Sequence, residues 1–260
     1  FIRIFGKILG NNKMDKKVDM FEYFANLSDM DISLTEKVGR YKDMKEKEMN
    51  IFEDIKEKLN LNDKNNILDI GCGCGAVVNT TIKYIQKENK QLYLNDSGKV
   101  LSQIIKTLDN KSNIKFIEGK FPDLNLEKNI KFDAIILYSI IHYIDKDNIF
   151  IFLDSILDKL ESGGALLIGD IPNINKKRRF NNSQFGKLFN LQWEKNLKSC
   201  YTSDNYPVLD LSHFNDSLII EIVKYIRAKE TFNAYILPQS SNLPISYIRD
   251  DILVIKVKNA

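Results

Sequence analysis

Short apolar runs alternate with longer amphipathic stretches through the middle of the chain. Five runs are rich in aliphatic and β-branched residues and too short for buried helices, which favours strands. They are Ile67–Ile70, Gln91–Asn95, Ile114–Ile117, Phe132–Tyr138 and Ala165–Gly169. The stretches between them repeat apolar side chains at helical spacing, as at Val100, Leu101 and Ile104. Strands alternating with helices form right-handed βαβ units, so we predict a doubly wound α/β fold with a mostly parallel sheet.

Near the end of the sequence this alternation stops. The β-rich runs Phe232–Ile236 and Asp251–Val257 are separated by Pro, Ser and Asn residues, with no room for a helix. Two strands joined in this way pair antiparallel, so we predict a hairpin that brings the sheet to seven strands. Residues 171–213 follow the fifth strand and are not needed by the α/β core. Open α/β sheets bind ligands beyond this edge, so we interpret the segment as an inserted substrate cap.

The first part of the chain is predicted to be helical. Val18–Leu27 and Tyr41–Leu59 both repeat apolar residues at helical spacing. We therefore expect an N-terminal helical cap over residues 1–60 and the main domain over residues 61–260.

Composition narrows the class of protein. The 260 residues suffice for one large α/β domain, and 43% hydrophobic with 28% charged residues is ordinary for a globular protein. The formal net charge is +3, so the charge balance does not call for nucleic acid as a partner. No apolar run approaches the ~20 residues that span a bilayer. The odd set Cys72, Cys74 and Cys200 argues against disulfides, which predicts a cytoplasmic protein.

The segment "ILDIGCGCGA" carries the main chemical signal. Gly71, Gly73 and Gly75 directly follow the first strand, where glycine permits positive φ and a close approach of a ligand to the backbone. Asp96, about 20 residues on, ends the second strand, as expected for a carboxylate that binds ribose hydroxyls. A nicotinamide dinucleotide and S-adenosylmethionine both fit this pattern.

Asp69 distinguishes the two cofactors. It lies two residues before the first glycine, at the end of an apolar strand. A carboxylate buried there is unfavourable unless donors or a cation meet it. A pyrophosphate would not tolerate another anion, whereas the ammonium of an amino-acid cofactor would pair with it. Capping of Asp69 by N–H groups of the turn is the structural alternative.

These features resemble the class I S-adenosylmethionine-dependent methyltransferases. "ILDIGCGCG" resembles the first motif of that family, "LYLNDSGKVL" its second-strand region, "FDAIILYSIIHYI" its fourth strand and "LESGGALLIGDIP" its fifth. The resemblance implies a Rossmann-like fold, S-adenosylmethionine as cofactor and methyl transfer as the activity. It implies cofactor contacts from Asp69, Gly71, Cys72, Gly73, Asp96, Ser97, Lys120, Phe121 and Tyr138. Arg40 and Tyr41, which open the helix before the sheet, are further candidates for contacts at the methionine end of the cofactor. Where the family often has an Asp for the adenine, this chain has Lys120 and Phe121, and Glu118 or Asp123 could substitute.

Few residues could act on the methyl acceptor. His142 and Asp170 follow the fourth and fifth strands, so they are the candidate catalytic residues, although each also has an ordinary structural interpretation. Tyr143 and the basic residues Lys177, Arg178 and Arg179 are the candidate substrate contacts, because guanidinium and ammonium groups bind anions. A solvated basic face is the alternative interpretation of the run. No metal site is expected.

Two stretches, "IGDIPNINKKRRF" and "YILPQSSNLPISYIRDDILVIK", are similar to methyltransferases of bacterial surface-polysaccharide assembly. That resemblance implies a small, anionic glycan precursor or decoration as acceptor, with the capsular O-methyl phosphoramidate group as one example. The alternatives are an NAD-dependent oxidoreductase, an RNA methyltransferase and a scaffold that binds cofactor without turnover. The absence of a [DN]-P-P-[YFW] signature after the fourth strand argues against methylation of nucleic-acid amino groups.

Overall fold

The computed structural model describes residues 18–40, 42–124, 129–200, 211 and 213–258. Tyr41 lies outside the described residues. The helices are α1 (Met20–Ser28), α2 (Leu34–Lys37), α3 (Lys45–Glu48), α4 (Ile51–Leu59), α5 (Ala76–Lys87), α6 (Gly98–Thr107), α7 (Ile149–Asp158), α8 (Ile174–Asn182), α9 (Gln184–Cys200) and α10 (Asp216–Arg227). The strands are β1 (Asn66–Ile70), β2 (Gln91–Asp96), β3 (Ile114–Glu118), β4 (Phe132–Tyr138), β5 (Leu160–Pro172), β6 (Phe232–Pro238) and β7 (Arg249–Lys256).

The strands form one seven-stranded sheet in the order β3-β2-β1-β4-β5-β7-β6. The first five are parallel, and β7 pairs antiparallel with both β5 and β6. The predicted α/β fold and terminal hairpin are therefore confirmed. β7 inserts between β5 and β6, so the hairpin delivers the first residues of β7 to the edge where the parallel strands end.

Apolar side chains pack on both faces of the sheet, because alternate residues of each strand point to opposite sides. Leu68 and Ile135 belong to one core cluster, and Ile67 and Ile136 belong to the other. Helices α7 and α10 contribute to the first cluster, and α4, α5 and α6 contribute to the second. The sheet is thus rigidly held, and its carboxyl edge can position polar groups accurately.

The predicted helix over Tyr41–Leu59 is interrupted. A short 3-10 turn, Lys42–Met44, leads into α3, and α4 begins only at Ile51. Asn50 lies at the break and donates a side-chain hydrogen bond to the carbonyl oxygen of Asn242 (3.2 Å). Asparagine competes with the helical backbone for hydrogen bonds, and this long-range contact favours the break.

The segment 171–213 contains α8 and α9, with residues 201–210 and 212 outside the described part. Helix α8 contacts α9, α10 and the 3-10 turn Ser246–Ile248. Phe180 of α8 stacks on Tyr247 with ring centroids 4.0 Å apart. The described residues of this segment are thus anchored to the hairpin. The division of the chain into caps and a main domain stays a prediction.

A buried carboxylate joins the hairpin to the parallel sheet. Asp251 of β7 is fully buried, and its Oδ1 atom accepts hydrogen bonds from the Asp170 N–H (2.8 Å) and the Gln239 side-chain amide (2.9 Å). Its Oδ2 atom accepts from Nζ of Lys58 at 2.6 Å. Burial raises the pKa of Asp251, and the Lys58 ammonium acts in the opposite direction. The carboxylate stays buried because each oxygen has a donor.

We expect Asp251→Ala to lower the free energy of unfolding by about 3 kcal/mol, because the half-buried Lys58 ammonium then keeps Asp54 as its one remaining carboxylate partner among the described residues. Denaturant unfolding monitored by circular dichroism measures this. The control is Asp158→Ala, which removes an exposed ion pair with Lys131 and should cost less than about 1 kcal/mol. Equal losses for the two variants would contradict the prediction.

Candidate active site

A cavity opens where the strand order reverses. β2 and β4 flank β1 on opposite sides, and ligands of open α/β sheets bind beyond the carboxyl ends of such strands. The sheet contributes Asp69 and Asp96 to the cavity wall, and the glycine turn after β1 also lines it. Phe24 of α1 and Val38, which follows α2, close the opposite side. The N-terminal helices therefore complete a cavity that the sheet begins.

The turn after β1 has space only for glycine at its first two glycine positions. Gly71 and Gly73 have φ values of 69° and 61°. A Cβ atom on Gly71 would lie 2.4 Å from Cδ1 of Ile140, and one on Gly73 would lie 2.9 Å from Cγ1 of Val38. The loop after β4 and the N-terminal segment thus pack against the turn and leave no room for a side chain at these two positions.

Three N–H groups of the turn are already used by the protein. Gly71 and Cys72 donate to the carbonyl oxygen of Asn95 at 2.8 and 3.1 Å. Gly73 donates to Oδ2 of Asp96 at 2.9 Å. A dinucleotide pyrophosphate needs such N–H groups for itself. The turn therefore argues against the nicotinamide alternative.

Asp96 ends β2 with its carboxylate on the cavity wall. Besides Gly73, the Ser97 N–H donates to it, at 2.7 Å. Each oxygen keeps lone-pair capacity, so a hydroxyl group in the cavity can donate to either. Burial raises the pKa of Asp96, and these N–H groups counteract the shift. The Ser97 hydroxyl instead caps α6 by accepting from the Val100 N–H (3.3 Å), and Ser97 does not line the cavity.

Asp69 has a different environment at the end of β1. Its side chain is buried on the cavity wall, and no donor among the described residues reaches its carboxylate. The turn N–H groups serve Asn95 and Asp96 instead, so the capping alternative is not what the structure has. Burial, followed by the charge of Asp96, raises the pKa of Asp69 to about 7. The site is chemically incomplete without a cationic donor.

Other predicted cofactor residues also lie on the wall. Phe121 packs edge-to-face on Phe152 (5.4 Å between ring centroids), and Lys120 lies 3.4 Å from the Asp19 carboxylate before α1. Tyr138 lines the floor. Glu118 and Asp123, the alternatives for the adenine contact, do not line the cavity.

Cys72 and Cys74 both line the cavity. Burial, then the neighbouring Asp96 carboxylate, raises the pKa of the Cys72 thiol well above its usual value. Burial raises that of Cys74 to about 11. Both thiols are therefore neutral, and no group of three His, Cys, Asp or Glu side chains in the described ranges is arranged to hold a metal.

Arg40 reaches the cavity wall from the N-terminal segment. Its Nη1 atom donates to Oε1 of the buried Glu48 (3.0 Å), and its Nη2 atom donates to Oγ of Ser139 (3.4 Å). A guanidinium fixed in this way can bind the carboxylate of an amino-acid ligand. The role predicted for Tyr41 falls outside the described residues.

The structure brings neither predicted catalytic residue to the cavity wall. His142 lies in a buried 3-10 turn beside Tyr143, and its Nδ1 atom has no hydrogen-bond partner in the described part of the chain. Burial, then the charge of Arg249, lowers the pKa of His142 well below its usual value. The Asp170 carboxylate accepts from the Ser139 hydroxyl (2.7 Å) and pairs with Nε of Arg249 (3.3 Å). Tyr143 does line the cavity.

The basic run divides into residues with different surroundings, and none of them lines the cavity. Lys176 donates to the Arg249 carbonyl and pairs with Asp250 at 2.9 Å. Arg179 pairs with Asp216 at 2.6 Å, and Arg178 is exposed. Lys177 is half-buried, and burial followed by the charge of Arg249 lowers its pKa.

Several wall residues were not predicted from the sequence: Asp19, Phe24, Lys37, Val38, Ser139 and Ile140. Most come from the helical cap, where amphipathic spacing does not show which residues face the sheet. The sequence indicates Ser139 only weakly as a site residue, because it is a polar residue directly after the apolar strand β4.

Residues 67–164 match the family described as "Methyltransferase domain". That range holds the glycine turn, Asp69, Asp96 and the loop after β4. The chain contains a class I S-adenosylmethionine-dependent methyltransferase domain. No curated protein sequence matches the chain significantly.

Solved structures share the fold of this methyltransferase. The N-methyltransferase NodS from Bradyrhizobium japonicum, in complex with S-adenosylhomocysteine, has a TM-score of 0.56 at 14% identity, over 93% of this chain and 100% of that one. The plantazolicin methyltransferase BpumL, with a desmethyl-plantazolicin analogue and S-adenosylhomocysteine, has a TM-score of 0.58 at 16% identity, over 92% and 99%. An O-methyltransferase family protein from Burkholderia thailandensis has a TM-score of 0.50 at 14% identity, over 81% and 56%.

The cavity fits S-adenosylmethionine on the chemistry of its donors and acceptors. An ammonium group satisfies the unpartnered Asp69, a ribose hydroxyl suits Asp96, and Phe121 offers an aromatic face. Bound cofactor supplies an electrophilic methyl group on a sulfonium sulfur. The domain's own contribution is to orient the reactants and exclude water, which accounts for much of the rate enhancement in a displacement of this kind.

We expect Asp69→Asn to weaken S-adenosylhomocysteine binding by about 10- to 100-fold, because a charge-assisted hydrogen bond is lost. Titration calorimetry measures the affinity. Asp133→Asn is the matched control: Asp133 accepts from the N–H groups of Asn65 and Asn66 at the opposite edge of the sheet. Unchanged affinity in Asp69→Asn would rule out the proposed ammonium contact.

The affinity for S-adenosylhomocysteine should fall as the pH falls through about 7. The bound ammonium favours ionised Asp69 and lowers its pKa, so binding below pH 7 must release a proton. Calorimetry in two buffers of different ionisation enthalpy counts that proton, expected at about pH 6 and nearly absent at about pH 8. Asp69→Asn should abolish the release, and a release that persists in this variant assigns the proton to another group.

The described residues include no helix with both the length and the apolar character required to cross a membrane.

Proposed function

We propose that this methyltransferase methylates an oxygen atom of a small anionic acceptor. The observation that carries the proposal is the proximity of two cations, Lys177 of α8 and Arg249 at the start of β7. Arg249 is only 3% exposed, and its charge acts on Lys177 and on Tyr143 of the cavity wall. Arg249 also pairs with Asp170. Two neighbouring cations repel a cationic acceptor and attract an anionic one, so they favour an acceptor that carries negative charge.

The titratable groups of the cavity wall support an acceptor that is already ionised. The carboxylates of the described wall are Asp19, Asp69 and Asp96, and the last two lie at the cofactor end. Burial raises the pKa values of Tyr138 and Tyr143, so both phenols stay protonated. A phosphate or carboxylate oxygen needs no proton removed before methyl transfer, whereas an alcohol does.

We propose an anionic precursor or decoration of bacterial surface polysaccharide as the acceptor class, with the capsular O-methyl phosphoramidate group as one example. The support is the resemblance of "IGDIPNINKKRRF" and "YILPQSSNLPISYIRDDILVIK" to methyltransferases of that assembly process. The two stretches meet in this chain: α8 contacts the 3-10 turn Ser246–Ile248, and Lys176 pairs with Asp250. A small-molecule acceptor and a cytoplasmic location belong to the same proposal.

Lys177→Gln should raise KM for the anionic acceptor by about tenfold and leave kcat within a few-fold, because Lys177 contributes binding rather than chemistry. Release of S-adenosylhomocysteine is measured with sugar phosphates, sugar acids, neutral sugars, amines and a short oligoribonucleotide as acceptors. Lys187→Gln, an exposed lysine of α9, is the control.

Each other outcome of the acceptor screen favours a different function. Turnover of neutral amines, unaffected by Lys177→Gln, would overturn the anionic acceptor and favour N-methylation. Turnover of the oligoribonucleotide with a steep salt dependence would favour the RNA alternative. Cofactor binding without turnover of any tested acceptor class would favour the scaffold alternative.

A further inference from the structure

We infer that Ser139 is a positioning residue, whose hydroxyl group fixes Arg40 at the cofactor cavity. Ser139 directly follows β4 and lines the cavity. Its backbone is left-handed, with φ of 61°. A residue other than glycine is strained in this conformation, and such strain persists where the surrounding structure holds it, often at functional sites.

The hydrogen bonds of the Ser139 hydroxyl have a fixed direction. Asp170 can only accept as a carboxylate, so the hydroxyl hydrogen is donated to its Oδ2 atom (2.7 Å). Arg40 can only donate, so its Nη2 atom donates a hydrogen bond to the same Ser139 oxygen (3.4 Å). One oxygen thus joins a carboxylate below the cavity to a guanidinium on its wall.

Ser139 belongs to a longer polar chain across the carboxyl edge of the sheet. Arg249 pairs with Asp170, Asp170 with Ser139, Ser139 with Arg40, and Arg40 with Glu48. Asp170 is also left-handed, with φ of 59°. Two strained residues on neighbouring strands therefore hold each other, and they connect the hairpin to the N-terminal segment.

Ser139 and Asp170 are both left-handed and are joined by a hydrogen bond. This arrangement indicates that Ser139 orients Arg40 rather than fills space. Without the Ser139 hydroxyl, the Arg40 guanidinium keeps only the Glu48 contact among the described side chains, so its orientation on the cavity wall is less defined. A ligand that carries both an ammonium and a carboxylate, as an amino-acid cofactor does, needs Asp69 and Arg40 in a fixed relation. The inference rests on the cofactor and not on the identity of the acceptor.

Two substitutions separate positioning from backbone conformation. Ser139→Ala and Ser139→Gly both remove the hydroxyl, and only the glycine also relieves the left-handed strain. We expect both variants to bind S-adenosylhomocysteine about tenfold more weakly by calorimetry, and the glycine variant to melt at a higher temperature than the alanine variant. Asn60→Gly is the control, since Asn60 is also left-handed (φ 49°) but lies at the end of α4, away from the cavity; its affinity should be unchanged.

The double variant Ser139→Ala/Arg40→Gln tests whether Ser139 acts through Arg40. If it does, Ser139→Ala has no further effect on affinity in the Arg40→Gln background. An undiminished effect there, or wild-type affinity in both Ser139 variants, overturns the inference while the methyltransferase assignment stands. Failure of the wild-type chain to bind S-adenosylhomocysteine would instead reject the cofactor assignment itself.

Discussion

Buried negative charge at one edge of the sheet is the constraint on which this site depends. Asp69, Asp96 and Asp170 lie at or near the carboxyl ends of parallel strands, and the antiparallel β7 brings Asp251 to the same edge. Each carboxylate loses hydration there, so each requires donors. Lys58 serves Asp251, Arg249 serves Asp170 and backbone N–H groups serve Asp96. Asp69 is the one of these four without a donor among the described residues, and this difference makes it the carboxylate that a cationic group of a ligand can complete.

The surrounding cations are distributed unevenly, and this gives the edge two chemically different ends. Asp69 and Asp96 make the end at β1 and β2 acidic. The cations Arg249, Lys176 and Lys177 lie near β5 and β7, where Arg249 pairs with Asp170 and Lys176 pairs with Asp250. Ser139 and Arg40 lie between the two ends. Asp69 and Asp96 line the cavity, whereas Arg249 and Lys177 lie outside its described wall.

The sequence predicts those features that depend on local pattern. All seven predicted strands are found, because strand and helix periodicities differ strongly. Six lie within two residues of their predicted bounds, whereas β5 extends over Leu160–Pro172 instead of the predicted Ala165–Gly169. The importance of Asp69 is also visible, since a carboxylate within an apolar strand is exceptional. Features set by long-range contacts are not predictable in this way. The basic run looks uniform in sequence, yet Asp250 and Asp216, distant in sequence, pair with Lys176 and Arg179. The buried position of His142 and the helix break at Asn50 likewise depend on partners that no local pattern reveals.

The place of β7 in the sheet has a consequence for how the site comes into being. β7 is made after the other six strands, but it lies between β5 and β6. During synthesis the parallel strands can associate first, while the edge of β5 stays open and Asp170 lacks both Arg249 and the Asp251 carboxylate. Pairing of residues so distant in sequence is slow compared with local contacts. The nascent chain can therefore form its fold early, but it acquires an ordered active site only when β7 has been translated and inserted.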